Sequence, residues 1–131
     1  MSKYLTFPEI HFKDRRLLLA ALAEIGFADV EEGDRLPLYG YQGDRRPETA
    51  EIVVRRQLIG HASNDLGFAR TPSGYVPVIS EYDERMLLAG QFLTRLRTAY
   101  GEAVVEEVRR RLHGTAHRTV EGGVVKIRVR Y

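Results

Sequence analysis

The sequence predicts an α+β fold in a single domain, residues 1–131, with a mostly antiparallel sheet, two helical blocks packed on one sheet face and a C-terminal β-hairpin. Three observations support this class. Apolar residues recur at helical spacing in two segments, one near the start and one after Asp83. Short runs of β-branched and aromatic residues are separated by glycine and proline turns, which is typical of hairpin-joined strands. The segment Val124–Tyr131 alternates apolar residues with Lys126, Arg128 and Arg130, the period of a half-buried strand.

The first half of the chain contains strand signals around one helix. Asp14 is suited to cap that helix because its side chain can accept a backbone N–H, and Gly26 is suited to end it. Pro8 restricts the first strand to a sheet edge or a bulge. The elements predicted here are a strand Lys3–Phe12, a helix Arg15–Ile25, a short strand Phe27–Glu31, a turn Gly33–Pro37, a strand Leu38–Gln42, a polar loop Arg45–Thr49 and a strand Glu51–Leu58.

The second half contains a hairpin, a long helix and a second hairpin. The tetrapeptide Thr71-Pro72-Ser73-Gly74 has proline and glycine where a hairpin turn can use them. Asp83 is a candidate N-cap for the long helix, and Gly101 is expected to break or bend it. The elements predicted here are strands Leu66–Arg70 and Tyr75–Ile79, two helical segments between Asp83 and Gly114, and strands Ala116–Val120 and Val124–Tyr131 flanking Gly122-Gly123.

Composition excludes several classes of protein. The chain contains no cysteine, which excludes disulfides, zinc–cysteine sites, iron–sulfur ligation and thiol catalysis. Its N-terminal residues do not resemble a signal peptide, and its longest apolar run, Leu17–Ala23, is too short to cross a bilayer, so we expect a cytoplasmic protein without membrane contact. The net charge of +2 is too small to indicate a partner class.

No motif with a recognisable chemistry is present. The chain lacks a P-loop, and Gly40-Tyr41-Gln42-Gly43 lacks the third glycine of a dinucleotide fingerprint. His113 and His117 have a metal-binding spacing, but Gly114 is expected to end the helix between them. His61, Ser63, Asn64 and Asp65 are too close in sequence to assemble readily as a catalytic triad. We therefore predict no catalytic, cofactor-binding or metal-binding residue, and a protein that is not an enzyme.

Cations next to aromatic residues give the remaining functional signal. One group is in the loop region, Tyr39, Tyr41, Arg45 and Arg46, and the other is on the last strand, Lys126, Arg128 and Arg130. Such groups can stack bases and hold phosphates. They are also found on solvated strand faces and in protein contacts. Both interpretations stay open, and these seven residues are the predicted partner-binding set.

The order of several motifs resembles a known family. The motifs are Leu38-Tyr39-Gly40-Tyr41-Gln42-Gly43, Ala50-Glu51-Ile52-Val53-Val54-Arg55, Leu66-Gly67-Phe68, Phe92-Leu93 with Leu96 and Tyr100, Val105-Glu106-Glu107 and Val124–Tyr131. They resemble the domain-of-unknown-function 1257 family, which includes hypothetical chloroplast reading frame 35 of algal plastids and cyanobacteria. The resemblance implies a tryptophan-rich stretch before the long helix, but this chain has Ile79-Ser80-Glu81-Tyr82 at that place.

The resemblance implies a fold and a cytosolic accessory protein, with no established reaction. We expect a small non-enzymatic adaptor that contacts another protein, such as an ATPase or another larger machine. An RNA- or DNA-binding accessory domain is the alternative, and an enzyme with an unrecognised site is the third possibility. The sequence indicates no cofactor and leaves the oligomeric state open.

Overall fold

The chain folds into a five-stranded antiparallel sheet and three α-helices in the computed structural model, which describes residues 2–113 and the short strands 120–121 and 124–125. Two short 3-10 segments, Arg56–Leu58 and Leu87–Gly90, connect elements. The elements are β1 (Tyr4–Thr6), α1 (Arg15–Glu24), β2 (Glu31–Tyr39), β3 (Arg45–Val54), β4 (Leu66–Thr71), β5 (Gly74–Ser80), α2 (Glu81–Met86), α3 (Phe92–His113), β6 (Val120–Glu121) and β7 (Val124–Val125).

The main sheet has the strand order β1-β5-β4-β3-β2, and every neighbouring pair is antiparallel. The two sheet edges are therefore β1 and β2. The edge strand β1 has only three residues. The edge strand β2 carries exposed charged side chains, Pro37 and register shifts, features that discourage pairing with another strand.

The larger core lies between one sheet face and the helices α1 and α3. The buried stripe of α1 includes Leu18 and Leu22, and that of α3 includes Phe92 and Leu96. The predicted cap of α1 is confirmed, because the Asp14 side chain accepts a hydrogen bond from the backbone N–H of Leu17. The predicted packing of two helical blocks on one sheet face therefore corresponds to α1 and α3.

A smaller core covers the opposite sheet face, because the long β2–β3 hairpin curls over it. Leu38, Ala50, Val53 and Val78 form this cluster with Tyr4 of β1. The close approach requires a glycine on β4: a Cβ atom at Gly67 would lie 2.7 Å from the Cβ atom of Ala50. The curl brings the end of the hairpin next to β1 and to the loop that precedes β4.

The strand boundaries of β2 and β3 differ from the sequence prediction. The predicted turn Gly33–Pro37 and the predicted loop Arg45–Thr49 were wrong, since both segments lie in strands. A positive φ of 51° at Arg35 and a register shift between Glu32 and Leu36 let β2 bend without ending. At the other end, the predicted strand Glu51–Leu58 stops at Val54 and continues into a 3-10 turn.

The helices α2 and α3 replace the predicted long helix from Asp83. Ser80 is the N-cap of α2, so the prediction of Asp83 at that position was wrong. The chain then turns through left-handed residues Leu88, Ala89 and Gly90 before α3 begins. The predicted break at Gly101 was also wrong: α3 continues through it because the flanking apolar stripe packs against α1, which outweighs the helix penalty of glycine.

The C-terminal region is mostly one long helix, where the sequence predicted two helical segments followed by a β-hairpin of strands Ala116–Val120 and Val124–Tyr131. α3 spans the 22 residues Phe92–His113 without interruption. The two-residue strands β6 and β7 pair with each other. The predicted strand residues 126–131 lie outside the described part of the chain. Within that part, no helix combines the length and the apolar character needed to cross a membrane.

Candidate functional site

Asp65 organises a buried polar cluster at the base of the β2–β3 hairpin. Its carboxylate is 1% exposed and accepts hydrogen bonds from the backbone N–H groups of Tyr39 and Arg56, both at 2.8 Å. The Arg55 guanidinium donates a third bond at 2.7 Å and also pairs with Glu31. The hydrogen bond that Arg55 donates to Glu31, and then the one that it donates to Asp65, raise the pKa of Arg55, while the bond that Glu31 accepts lowers the pKa of Glu31. The buried negative charge is thus balanced by a cation.

A second buried cluster joins the residue before Asp65 to the start of α2. The Ser80 hydroxyl donates to Asp83 Oδ2 at 2.8 Å and accepts the backbone N–H of Asp83, a capping arrangement. The backbone N–H of Asn64 also donates to Asp83 Oδ2, and the Asn64 amide nitrogen donates to Ser80 Oγ. The Asn64 Oδ1 atom accepts the backbone N–H of Tyr41 at 2.9 Å. Asn64 therefore ties α2 to the hairpin.

The N-terminal strand is attached to the same region through Tyr4. The Tyr4 hydroxyl donates to the backbone oxygen of Asp65 at 2.6 Å, and burial followed by the negative charge of Asp65 raises the pKa of Tyr4. The Arg46 guanidinium lies 5.3 Å from the centre of the Tyr4 ring and donates to the Ser2 carbonyl oxygen at 2.9 Å. These contacts close the gap between β1 and the curled hairpin.

The hairpin tip, residues 40–45, is closed by backbone hydrogen bonds and presents three exposed side chains, those of Tyr41, Gln42 and Arg45. Its turn is closed by hydrogen bonds from Gly40 N to the oxygen of Asp44 and from Gly43 N to the oxygen of Gly40. Gly43 has a φ of 80°, which favours glycine. Tyr41 is 41% exposed. Arg45 is also exposed and makes no ion pair within the described residues. The buried Asn64 and Asp65 hold the backbone on which both side chains stand.

The predicted site residues of this loop region are brought together, but they differ in availability. Tyr39 is half-buried, and the Arg55 guanidinium lies 5.9 Å from its ring centre. Arg46 is engaged with Tyr4 and Ser2. Only Tyr41 and Arg45 are thus available to a partner. The other three predicted residues lie outside the described part of the chain: Lys126, Arg128 and Arg130.

Four polar residues of the site were not identified from the sequence as its supports. Asn64, Asp65, Ser80 and Asp83 are all at most 1% exposed. One signal was available, since Ser80 and Asp83 have the spacing of a helix cap and Asn64-Asp65 directly precedes a strand. Within the residues that the structure describes, no group of three or more histidine or acidic side chains could hold a metal ion.

Comparison with known families agrees with the sequence motifs. The profile described as "Protein of unknown function (DUF1257)" matches residues 21–125, which is most of the chain. The chain therefore belongs to the DUF1257 family, and the resemblance predicted from its motifs is confirmed. No curated protein and no solved structure matches the chain significantly.

Proposed function

We propose that this member of the DUF1257 family is a non-enzymatic accessory protein that binds another protein through the hairpin tip. The observation that carries the proposal is the anchored exposure of Tyr41: its ring is 41% exposed while its backbone N–H is bonded to the buried Asn64. The ring is therefore presented to solvent from a backbone that buried residues hold in place.

The physical basis is pre-organisation. Binding orders loops and side chains, and that entropic cost falls when a loop is already fixed before it meets its partner. Tyrosine and arginine are also the residue types that often contribute most to binding at the centre of protein interfaces. Tyr41 and Arg45 lie on one fixed turn, so they form a small rigid contact element.

A partner that fits this element has an apolar pocket for the ring of Tyr41 and a carboxylate for Arg45. Arginine recognises carboxylates through paired hydrogen bonds. Cytoplasmic location and an ATPase or other larger machine as the partner are parts of the proposal. They are motivated by the cysteine-free composition and by the family resemblance.

Site-specific photocrosslinking tests the proposal. Benzoylphenylalanine replaces Tyr41 in the tagged full chain, expressed in the source organism, and the matched control carries the same group at Val105, an exposed position of α3. We expect a defined protein adduct from position 41 that survives nuclease treatment and is absent from position 105. No adduct from position 41, or the same adducts from both positions, would contradict the proposal.

Nucleic-acid binding through the same residues is the second candidate, and the exposure of both Arg45 and Tyr41 at the hairpin tip is the observation in its favour. Bases stack on exposed rings, and cations hold phosphates. Arg46, one of the cations predicted for this role, instead donates a hydrogen bond to the Ser2 carbonyl oxygen. Adducts that disappear after nuclease treatment would support it over the protein contact.

An enzymatic function has less support in the described residues. The buried carboxylates of Asp65 and Asp83 accept hydrogen bonds from the protein's own backbone and side chains. Neither carboxylate lines any of the four clefts found among the described residues. They therefore act as supports of the hairpin tip in this proposal.

A further inference from the structure

An open cleft lies at the opposite end of β4 from Asp65, between the β4–β5 turn and the start of α1. Its volume is about 710 Å³, within the usual range for small-ligand sites. No acidic residue is among the described residues that line it. The polar side chains that line it are His11, Lys13, Arg15, Arg70, Thr71 and Ser73.

The wall of the cleft that carries the cations is fixed to its floor. Phe12 and Tyr75 exchange two backbone hydrogen bonds, at 2.9 and 2.8 Å. Phe12 is buried, whereas its neighbours His11 and Lys13 are exposed. Gly74, with a φ of 130°, permits this approach, because a Cβ atom there would lie 2.8 Å from the carbonyl oxygen of Phe12. The cationic segment is thus held against the β4–β5 turn.

The positive charge in the cleft is only loosely neutralised. Lys13 makes no ion pair within the described residues. Arg70 pairs with Asp34 at 3.3 Å, but the two side chains are 60% and 87% exposed. Exposed pairs of this kind contribute little free energy, so a multiply charged anion can replace the partner. The pair of Arg15 with Glu32 is exposed as well.

Helix stability does not account for the arginines at the start of α1. The first turn of α1 contains no acidic residue and begins with Arg15 and Arg16, although the positive end of a helix dipole disfavours cations. Arg16 has a role in the fold, since it pairs with Glu107 of α3 at 3.0 Å. Arg15 pairs with Glu32 at the surface and also lines the cleft, so its charge borders the same space as the charges of Lys13 and Arg70.

We propose that this cleft binds a multiply charged phosphate group, supplied either by a small polyphosphate or by a nucleic-acid strand. Lysine and arginine side chains at a helix start, with the hydroxyl of Ser73 beside them, are groups that coordinate phosphate oxygens. Tyr75 is 8% exposed, so it offers little ring surface for base stacking. The cleft therefore recognises phosphate charge and not base identity. This site is separate from the hairpin tip and does not depend on its function.

The experiment measures binding of two probes to the full chain: pyrophosphate by titration calorimetry, and a labelled oligodeoxythymidine by fluorescence anisotropy. Lys13→Ala and Arg70→Ala should each weaken binding about tenfold, the effect of losing one hydrogen bond between charged groups. For the oligonucleotide, Lys13→Ala should also reduce the slope of log K against log salt by about 0.7.

Lys3→Ala is the matched control, because it removes an exposed lysine near Glu81, at the other end of β5. It should leave both affinities unchanged, and thermal melting checks that all variants are folded. Pyrophosphate binding alone would assign a small polyphosphate, and tighter oligonucleotide binding would assign a strand; either supports the cleft. No binding of either probe at millimolar concentration, or equal weakening by Lys3→Ala and Lys13→Ala, would overturn the proposal.

Discussion

Replacing Asp65 by Ala should destabilise the fold more than replacing Glu31, the exposed residue that pairs with the same arginine, Arg55. The carboxylate is 1% exposed and accepts three hydrogen bonds, two from backbone N–H groups and one from Arg55. Its removal leaves the N–H groups of Tyr39 and Arg56 without their acceptor, at about 1–3 kcal/mol each. Arg55 keeps its bonds to Glu31 and the Pro37 carbonyl, so the loss of its buried partner adds little.

The expected total for Asp65→Ala is therefore about 2–6 kcal/mol, the sum for the two N–H groups that lose their acceptor. Glu31→Gln is the matched control, because Glu31 pairs with the same guanidinium from a position that is 54% exposed. Exposed pairs contribute less than about 1 kcal/mol. Urea unfolding followed by circular dichroism measures both values. Equal losses for Asp65→Ala and Glu31→Gln would refute the role of Asp65 as the buried support of the hairpin.

Three further predictions concern single features of the fold. Gly67→Ala should lower the free energy of unfolding by about 1–3 kcal/mol in urea titrations, because the new methyl group would overlap that of Ala50; a neutral effect would contradict the curled hairpin. Ala89→Gly should be neutral or stabilising by up to about 1 kcal/mol, since Ala89 has a φ of 56°, whereas Gly90→Ala should be destabilising in the same assay. The pKa of Glu31 is lowered, so the stability that its carboxylate contributes is fully present above the ordinary pKa of 4.5 and is lost as pH falls through the pKa of the folded state. Acid titration of Glu31→Gln should therefore show a smaller loss of stability than that of the wild type.

The sequence predicted elements whose signals are local. Asp14 is a cap because its side chain can reach a backbone N–H three residues away, and that contact is present. The turn Thr71–Gly74 joins β4 and β5, as predicted, because proline and glycine suit a hairpin turn. The predicted strand over Glu51–Val54 is present, and as in any strand its successive side chains alternate: Ile52 and Val54 lie in the larger core and Val53 in the smaller one.

The sequence did not predict features that depend on contacts between distant residues. The segment Arg45–Thr49 has the polar composition of a loop and contains Pro47, yet it pairs with the edge strand β2, with Arg45 opposite Tyr39 and Thr49 opposite Pro37. The long helix was predicted without a break at Leu88 and Ala89, because each has good helix propensity and the left-handed turn is imposed by packing.

The candidate site shows the same difference between local signals and contacts of distant residues. The sequence indicated Tyr41 and Arg45 because aromatic and cationic residues near one turn are visible in it; the structure places both at the exposed hairpin tip, and their binding role stays a prediction. Their supports were not indicated, since Asn64 contacts Tyr41 across 23 positions of the chain. The engagement of Arg46 by Ser2 likewise depends on the curl of the hairpin, which no local pattern encodes.

The most direct test of the central claim measures which proteins are retained with the tagged chain when Tyr41 is changed. Wild type, Tyr41→Ala, Tyr41→Phe and the control Val105→Ala are purified from the source organism after nuclease treatment, and retained proteins are compared by quantitative mass spectrometry. The account predicts a partner that Tyr41→Ala loses by about tenfold or more, the effect of removing an aromatic residue at an interface centre, while Tyr41→Phe and Val105→Ala keep it. Equal retention by wild type and Tyr41→Ala would contradict the claim that the hairpin tip is the contact.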